Sequence, residues 1–411
     1  MNMNMNSKKV SNYFLYLIFF CYACEGIAEQ SINSVWPAIS TDIKADISLI
    51  GILSTLVYIG SGIASLVAYK VRNKIGTNRT ATLSMIFFSL PIIIYIFSKN
   101  FIGIAVGMFI TGLGIGLNDV GADSYVIKAY DAKQDSILHS CWTIGAFLGT
   151  TILTFTLTNF SSYKIGFVIM LIIFSSVIIL LILAKRNWER SKVNLDKELV
   201  RKHSVTEEEK NVNANIFEML KTKNIIYILL CFGIVNAVSR SITVFIATIM
   251  VEQYGVKEII ATSAVGFFCL AGFIGRIIGS FIFDKIDLKS TLISGIIGEI
   301  LILVFLFLNI FTGPMIVTLF IILGIFDSIQ IPYIFSYAKE CVGTYNLSAL
   351  LGYGNALGLV LSIITTGIAT VIIQKDSIKY IEIMYIVLLA LLFLFLVSIK
   401  KNKIDYKVKE V

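Results

Sequence analysis

Four carboxylates stand inside stretches of sequence that are otherwise apolar. Asp119 and Asp123 lie one helical turn apart within residues 101–127, and Glu25 and Glu29 repeat that spacing within residues 14–37. At the centre of a membrane helix a carboxylate costs roughly 2.5–3.5 kcal/mol on insertion scales, so such groups face a wet cavity and handle ions or substrate. Residues at i and i+4 share a helix face. Each pair can therefore act at one site, and like charges held that close titrate as a coupled pair. The chemistry on offer is reversible proton binding, with Asp119 as the leading coupling acid and Asp123, Glu29 and Glu25 as its companions.

A second set of polar residues reads as ligand-binding. Arg240 is deep in an apolar stretch beside Asn236, Ser239 and Ser241. It can bind a substrate carboxylate or pair with Asp327 or Glu29. Asp327 and Gln330 precede Pro332, which frees a backbone carbonyl in the way cavity-lining helices use. Trp142 can stack on a ring or serve as an interfacial anchor. Asn33 offers an amide in the first stretch, and His139, ahead of Trp142, reads as a gate or proton relay. Glu299 has no evident task beyond a structural hydrogen bond.

These residues need elements that place them at membrane depth, and the composition supplies them. Of the 411 residues 57% are hydrophobic and 15% charged, with a mean hydropathy of +0.85. An ordinary soluble domain carries about 25% charged residues. About twelve apolar runs, each long enough to cross about 30 Å of hydrocarbon, lie near 14–37, 49–70, 80–98, 101–127, 136–158, 164–184, 225–252, 258–283, 289–311, 314–338, 346–373 and 378–399. Backbone hydrogen bonds must close within each segment in lipid, so the runs are helices. The fold class is all-α integral membrane.

The net charge of +8 is a matter of orientation. Most Lys and Arg fall on one side of the alternating spans, including Lys8, Lys9, Lys70, Arg72, Lys74, Arg79 and the cluster in 185–223. The positive-inside rule then places both termini in the cytosol of a plasma membrane. Nucleic acid is not an expected partner; protons, the lipid bilayer and a small-molecule substrate are, and a monomer is expected. The Met-Asn run at the start reads as a disordered lead-in. The six cysteines fall almost entirely in apolar runs and read as packing residues. No metal-ligand spacing, Walker motif or nucleophile–base set appears, so neither a cofactor nor an enzyme is expected.

The polar stretch 185–224 divides the spans six and six. The expected organisation is a tail (1–12), a six-helix bundle (13–184), a cytosolic linker (185–224), a second bundle (225–399) and a tail (400–411). Spacing recurs across the linker: Asn73-Lys74-Ile75 precedes Asp284-Lys285-Ile286 by 211 positions, Gly112 precedes Gly324 by 212, and Gly145 precedes Gly358 by 213. Parallel six-span repeats are the plan of transporters that rock two bundles about a central site.

The run from Gly112 to Asp123, Leu138-His139, and Gly145 to Gly149, with Gly26 through Trp36-Pro37-Ala38, resembles the major facilitator superfamily, and within it the fucose permease-like branch. Gly275-Arg276 with Asp284-Lys285 is similar to the superfamily's loop signature, as is a degenerate first-half copy with Lys74 and Arg79. The resemblance implies two six-helix bundles, makes Asp119 the fourth-helix coupling acid, and aligns Asn33 and Trp142 with polar positions of that branch. It implies gating roles for Lys74, Arg79, Arg276 and Asp284. The expected function is proton-coupled transport of a small, sugar-like polar solute; the alternative is proton-antiport efflux of cationic or lipophilic compounds.

Overall fold

The computed structural model describes residues 3–129, 132–203, 220, 222–283, 287–342, 347–375 and 377–399. Twelve α-helices and one 3-10 turn are found among them: α1 (Met3–Ile43), the turn (Ile47–Leu49), α2 (Ile50–Ile75), α3 (Thr77–Phe97), α4 (Phe101–Ala129), α5 (Ala132–Phe160), α6 (Tyr163–His203), α7 (Lys223–Glu252), α8 (Glu258–Phe283), α9 (Leu288–Leu308), α10 (Pro314–Val342), α11 (Leu347–Gln374) and α12 (Tyr380–Ser398). Each of the twelve apolar runs becomes one helix. Eleven segments among the described residues are long and apolar enough to cross a membrane; α1, which carries Glu25 and Glu29, is the helix outside that set.

Hydroxyl side chains in these helices turn back on their own backbone. Thr150 donates to the Ala146 carbonyl at 3.1 Å, Thr366 to Ser362 at 2.8 Å, and Thr370 to Thr366 at 2.9 Å. A hydroxyl satisfied in this way can sit in an apolar helix without seeking water. Gly76 joins α2 to α3 with a φ of 86°, a conformation that a side chain disfavours, and its N–H closes α2 on the Arg72 carbonyl at 2.7 Å. The polar stretch expected to link the halves begins as helix, because α6 continues through His203. Residues 204–219 lie outside the described set.

The chain divides into two compact units. One comprises Met1–Glu207 with Val244–Leu270. In it α2 packs on α4, α1 on α5, and α3 on both α4 and α6. The Val244–Leu270 segment joins this unit through contacts such as the Thr262 hydroxyl to the Ser34 carbonyl, 3.0 Å, and Phe147 against Phe267. The other unit comprises Glu208–Thr243 with Ala271–Val411, and in it α9 packs on α10 and α12.

Candidate functional site

Small residues bring the helices of the first unit close enough for their polar groups to meet. A Cβ on Gly26 would run into the Trp142 carbonyl, and one on Gly145 into the Ala23 carbonyl, so α1 and α5 approach backbone to backbone. Small residues allow such approach in membrane helices. This contact fixes the register of α1 against α5. One turn beyond Gly26, the Glu29 carboxylate accepts the Trp142 indole N–H at 3.0 Å. Glu25, next to Gly26 and one turn back from Glu29 along α1, is 3% exposed. Its Oε2 accepts from the Asn118 side-chain amide of α4 at 2.6 Å. Helix α4 is held in turn by α2, where Gly112 and Gly116 leave no room for a side chain against the Val57 and Ser61 carbonyls.

Asn118 is the residue that sequence reasoning missed. Its Nδ2 is committed to Glu25 while its Oδ1 is buried without a hydrogen-bond partner among the described residues. Asn33 repeats the pattern: its Nδ2 donates to Gln30 at 3.3 Å, and its Oδ1 has no partner among the described residues. Two buried amide oxygens that lack a donor are acceptors waiting for one. Asp119 is half-buried beside Asn118 on α4. The side chain of Asp123 lies outside the described residues. His139 is exposed, with its ring edge-on to Tyr22 at 5.7 Å.

The second unit holds the other group. The Asp327 carboxylate of α10 accepts the Ser239 hydroxyl of α7 at 2.8 Å, and Gln330, three residues on, donates to Glu299 of α9 at 2.5 Å. All three of Asp327, Gln330 and Glu299 are buried. Gly275 presses on α10 at the Ile325 carbonyl, and the next residue, half-buried Arg276, lies near enough to act on the charge of Asp327. Arg240 is half-buried next to Ser239. Asn236 is buried, its amide donating to the Phe232 carbonyl at 2.9 Å.

The structure thus brings Glu29 to Trp142, Asn33 to Gln30, and Gln330 to Glu299, pairings within one unit or one helix that the sequence did not specify. The structural hydrogen bond expected for Glu299 is present. Of the expected gate residues, Lys74 is exposed in the last turn of α2 and Arg79 is exposed in the first turn of α3. Asp284 lies outside the described residues.

The internal repeat has a structural counterpart. Gly145 abuts Ala23, and Gly358, 213 positions on, abuts Asn236, which lies 213 positions after Ala23. The offset of 212 that carries Gly112 to Gly324 also carries Asn118 to Gln330. Both of these equivalent amides hold a buried glutamate.

Comparison with known proteins returns one family. The Major Facilitator Superfamily model matches residues 18–366. No curated protein matches the sequence. Among solved structures, a D-xylose-proton symporter matches with a TM-score of 0.73 at 13% identity, over 95% of this chain and 99% of its own. A bacterial homologue of the human lysosomal transporter Spinster, in an inward-facing and occupied conformation, matches with a TM-score of 0.67 at 14% identity, over 94% of this chain and 96% of its own. At these identities the likeness is one of fold.

Proposed function

The chain belongs to the major facilitator superfamily, and from that premise we propose that it is a secondary active transporter that couples a small, sugar-like polar solute to protons. The observation that carries the reading is the Glu25–Asn118 contact. It joins a carboxyl on α1 to a neutral amide on α4, buried within one unit. A neutral partner stabilises a carboxyl without fixing its charge, so the group can still take up and release a proton. A lysine or arginine in that place would lock it as the anion. Asn118 completes the logic, because its open Oδ1 accepts a hydroxyl from a solute while its Nδ2 senses the state of Glu25. Asn33, with its own open amide oxygen, adds a second acceptor. Donor hydroxyls on a polyol or sugar fit two such acceptors; an organic phosphate does not.

In this reading Glu25 is the coupling carboxyl and Glu29, steadied by Trp142, sets its local field. Asp119, next to Asn118, serves as a wetter relay toward bulk solvent. Alternating access links the protonation of Glu25 to solute binding, since only the loaded site allows the bundles to rock. The Lys and Arg bias supports a cytosolic location for both termini. One structural neighbour is a D-xylose-proton symporter, which supports the same substrate class for this chain. Efflux by proton antiport is the second reading, favoured by the excess of buried acids such as Glu25, Asp327 and Glu299.

Flux through sealed vesicles tests the proposal. A panel of radiolabelled monosaccharides and polyols is presented under an imposed inward proton gradient. Accumulation of one member that disappears when an ionophore collapses the gradient is the expected result. Accumulation unchanged by the ionophore contradicts proton coupling, and extrusion of hydrophobic cations under the same gradient favours the efflux reading.

A further inference from the structure

The first unit uses a buried glutamate held by an amide, and the second unit holds another. Glu299 is 0% exposed in the middle of α9. Its Oε1 takes the Gln330 amide at 2.5 Å, and its Oε2 is buried with no hydrogen-bond partner among the described residues. An anion with an oxygen left bare in the protein interior is costly, more so than a neutral group that has lost its partner. A chain that keeps such a group supplies it with something to bind.

We propose that Glu299 is a second proton-binding site, with Oε2 as the atom that takes the proton. The fit of the site decides between a proton and a metal ion. Hard cations are held by six or more oxygens, and Glu299 is fully enclosed by the protein. A proton on Oε2 needs no such shell. The repeat points the same way. Gln330 occupies the place in α10 that Asn118 occupies in α4, and each donates its amide to a buried glutamate. The amide position is shared by the two halves, whereas the glutamate comes from α1 in one and from α9 in the other.

In this proposal Asp327 on α10 is the group that passes the proton to Glu299. Asp327 lies three residues before Gln330, on the same helix face, and is 7% exposed. Its carboxylate is bonded to Ser239. Proton entry is then transfer from hydronium to Asp327, an O–H bond forming on the carboxylate as one breaks in the hydronium and leaves water, followed by the breaking of the Asp327 O–H bond as one forms on Glu299 Oε2. Asp327 returns to the carboxylate, and no other reactant is needed. The charged and titratable groups around the site are Asp327 and Tyr333 on α10, Arg276 on α8, and Tyr380, Glu382 and Tyr385 on α12; Lys289 starts α9 itself. Lys289 is bonded to the Val397 and Ile399 carbonyls, and Tyr385 shares a hydrogen bond with Ser241. The charge of Asp327 acts on Glu299, and that of Arg276 acts on Asp327.

Infrared difference spectroscopy on the purified full chain tests the proposal without a known solute, so its outcome is separable from that of the transport reading. The probe is the proton itself. The carboxylic-acid carbonyl band is followed while pH is stepped, in water and in deuterium oxide. In the wild type, one band should belong to Glu299. Glu299→Gln should remove it, Glu25→Gln should leave it, and Asp327→Asn should displace its titration. Gln330→Ala keeps the carboxyl and removes its donor. It should therefore shift the band's frequency, which keeps the test alive if Glu299→Gln does not fold. Spectra of Glu299→Gln and Gln330→Ala that match the wild type at every pH overturn the proposal and leave Glu299 a structural anion.

Discussion

The two units solve the same problem with different helices. In the first, a glutamate on α1 meets an amide on α4; in the second, a glutamate on α9 meets an amide on α10. The amides are repeat-equivalent and the acids are not. The backbone scaffold is what the repeat preserves, as the matched Gly145–Ala23 and Gly358–Asn236 contacts show. The charges were placed on that scaffold separately in each half. A repeat in sequence therefore does not imply a repeat in mechanism: the acid on α1 meets an amide whose neighbour in the chain is half-buried Asp119, whereas the acid on α9 feels the charge of Asp327.

The scaffold half of this comparison should give the largest effect. Gly145→Leu drives a side chain into the α1 backbone at Ala23, and we expect folded protein to be lost on solubilisation. The equivalent Gly358→Ala meets the Asn236 side chain, whose Cβ lies 2.9 Å from the added carbon. That approach is looser than the 1.9 Å between an added carbon on Gly145 and the Ala23 carbonyl oxygen, so it asks for a smaller shift. Overpacking of this kind costs about 1–3 kcal/mol, with Gly358→Ala at the lower end and Gly145→Ala above it. Thermal unfolding of both variants in the same detergent checks the order, and equal losses would mean that the first contact is not the tighter.

The amides come next. Gln330→Leu strips Glu299 of its donor and should destabilise by at least the ~1–3 kcal/mol of an unsatisfied buried group. Gln330→Leu combined with Glu299→Leu removes both partners and should recover much of that loss. Asn118→Leu with Glu25→Leu should show the same recovery in stability, while transport is lost in the first unit's double variant. A second-unit double variant no better than its single breaks the parallel. Trp142→Phe keeps an aromatic ring but loses the bond to Glu29 and part of the indole's volume. About 0.5–1.5 kcal/mol is expected for it, together with a shifted pH profile of uptake.

The smallest effect lies at the end of α1. Asp42 accepts from the Tyr163 hydroxyl at 2.5 Å and pairs with Lys164 at 3.1 Å, and those two contacts hold its carboxyl below the ordinary aspartate range. Because the folded value is the lower one, the contribution is present above the ordinary aspartate pKa and is lost as pH falls through the folded value. The pair is exposed and screened by water, so at most a few tenths of a kcal/mol is expected. Unfolding of Asp42→Asn compared with wild type should differ at neutral pH and converge in acid. A difference that grows in acid contradicts the assignment.

Much of this architecture is legible in the amino-acid sequence. Twelve apolar runs become twelve helices because the hydrocarbon permits no other way to satisfy a backbone, and the offset glycines mark the contacts between them. The acids of α1 stand out by type alone. Which residue of α4 meets them does not. The charge and spacing of Asp119 put the weight there, yet the bond to Glu25 comes from its neighbour Asn118. Adjacent residues on a helix point about 100° apart, and sequence reports that rotation only when one face is apolar and the other polar. Helix α4 around Asn118 is apolar on most sides, so its rotation is set by Gly112 and Gly116 against α2, a contact between segments far apart in sequence. The partner of Glu299 is hidden for the same reason. Nothing near it in sequence announces Gln330, and the bond exists only because α9 packs on α10.

In the proposed function Glu25, held by the Asn118 amide, couples the proton to transport. Gradient-driven accumulation and counterflow exchange of the same solute, measured side by side in vesicles carrying Glu25→Gln, test it most directly. The amide keeps a hydrogen-bonding group at that position and cannot release a proton. The account predicts that accumulation is abolished while exchange continues at a rate within a few-fold of wild type. Accumulation at the wild-type level by Glu25→Gln would contradict it, and Asp119 would then be the carboxyl to test.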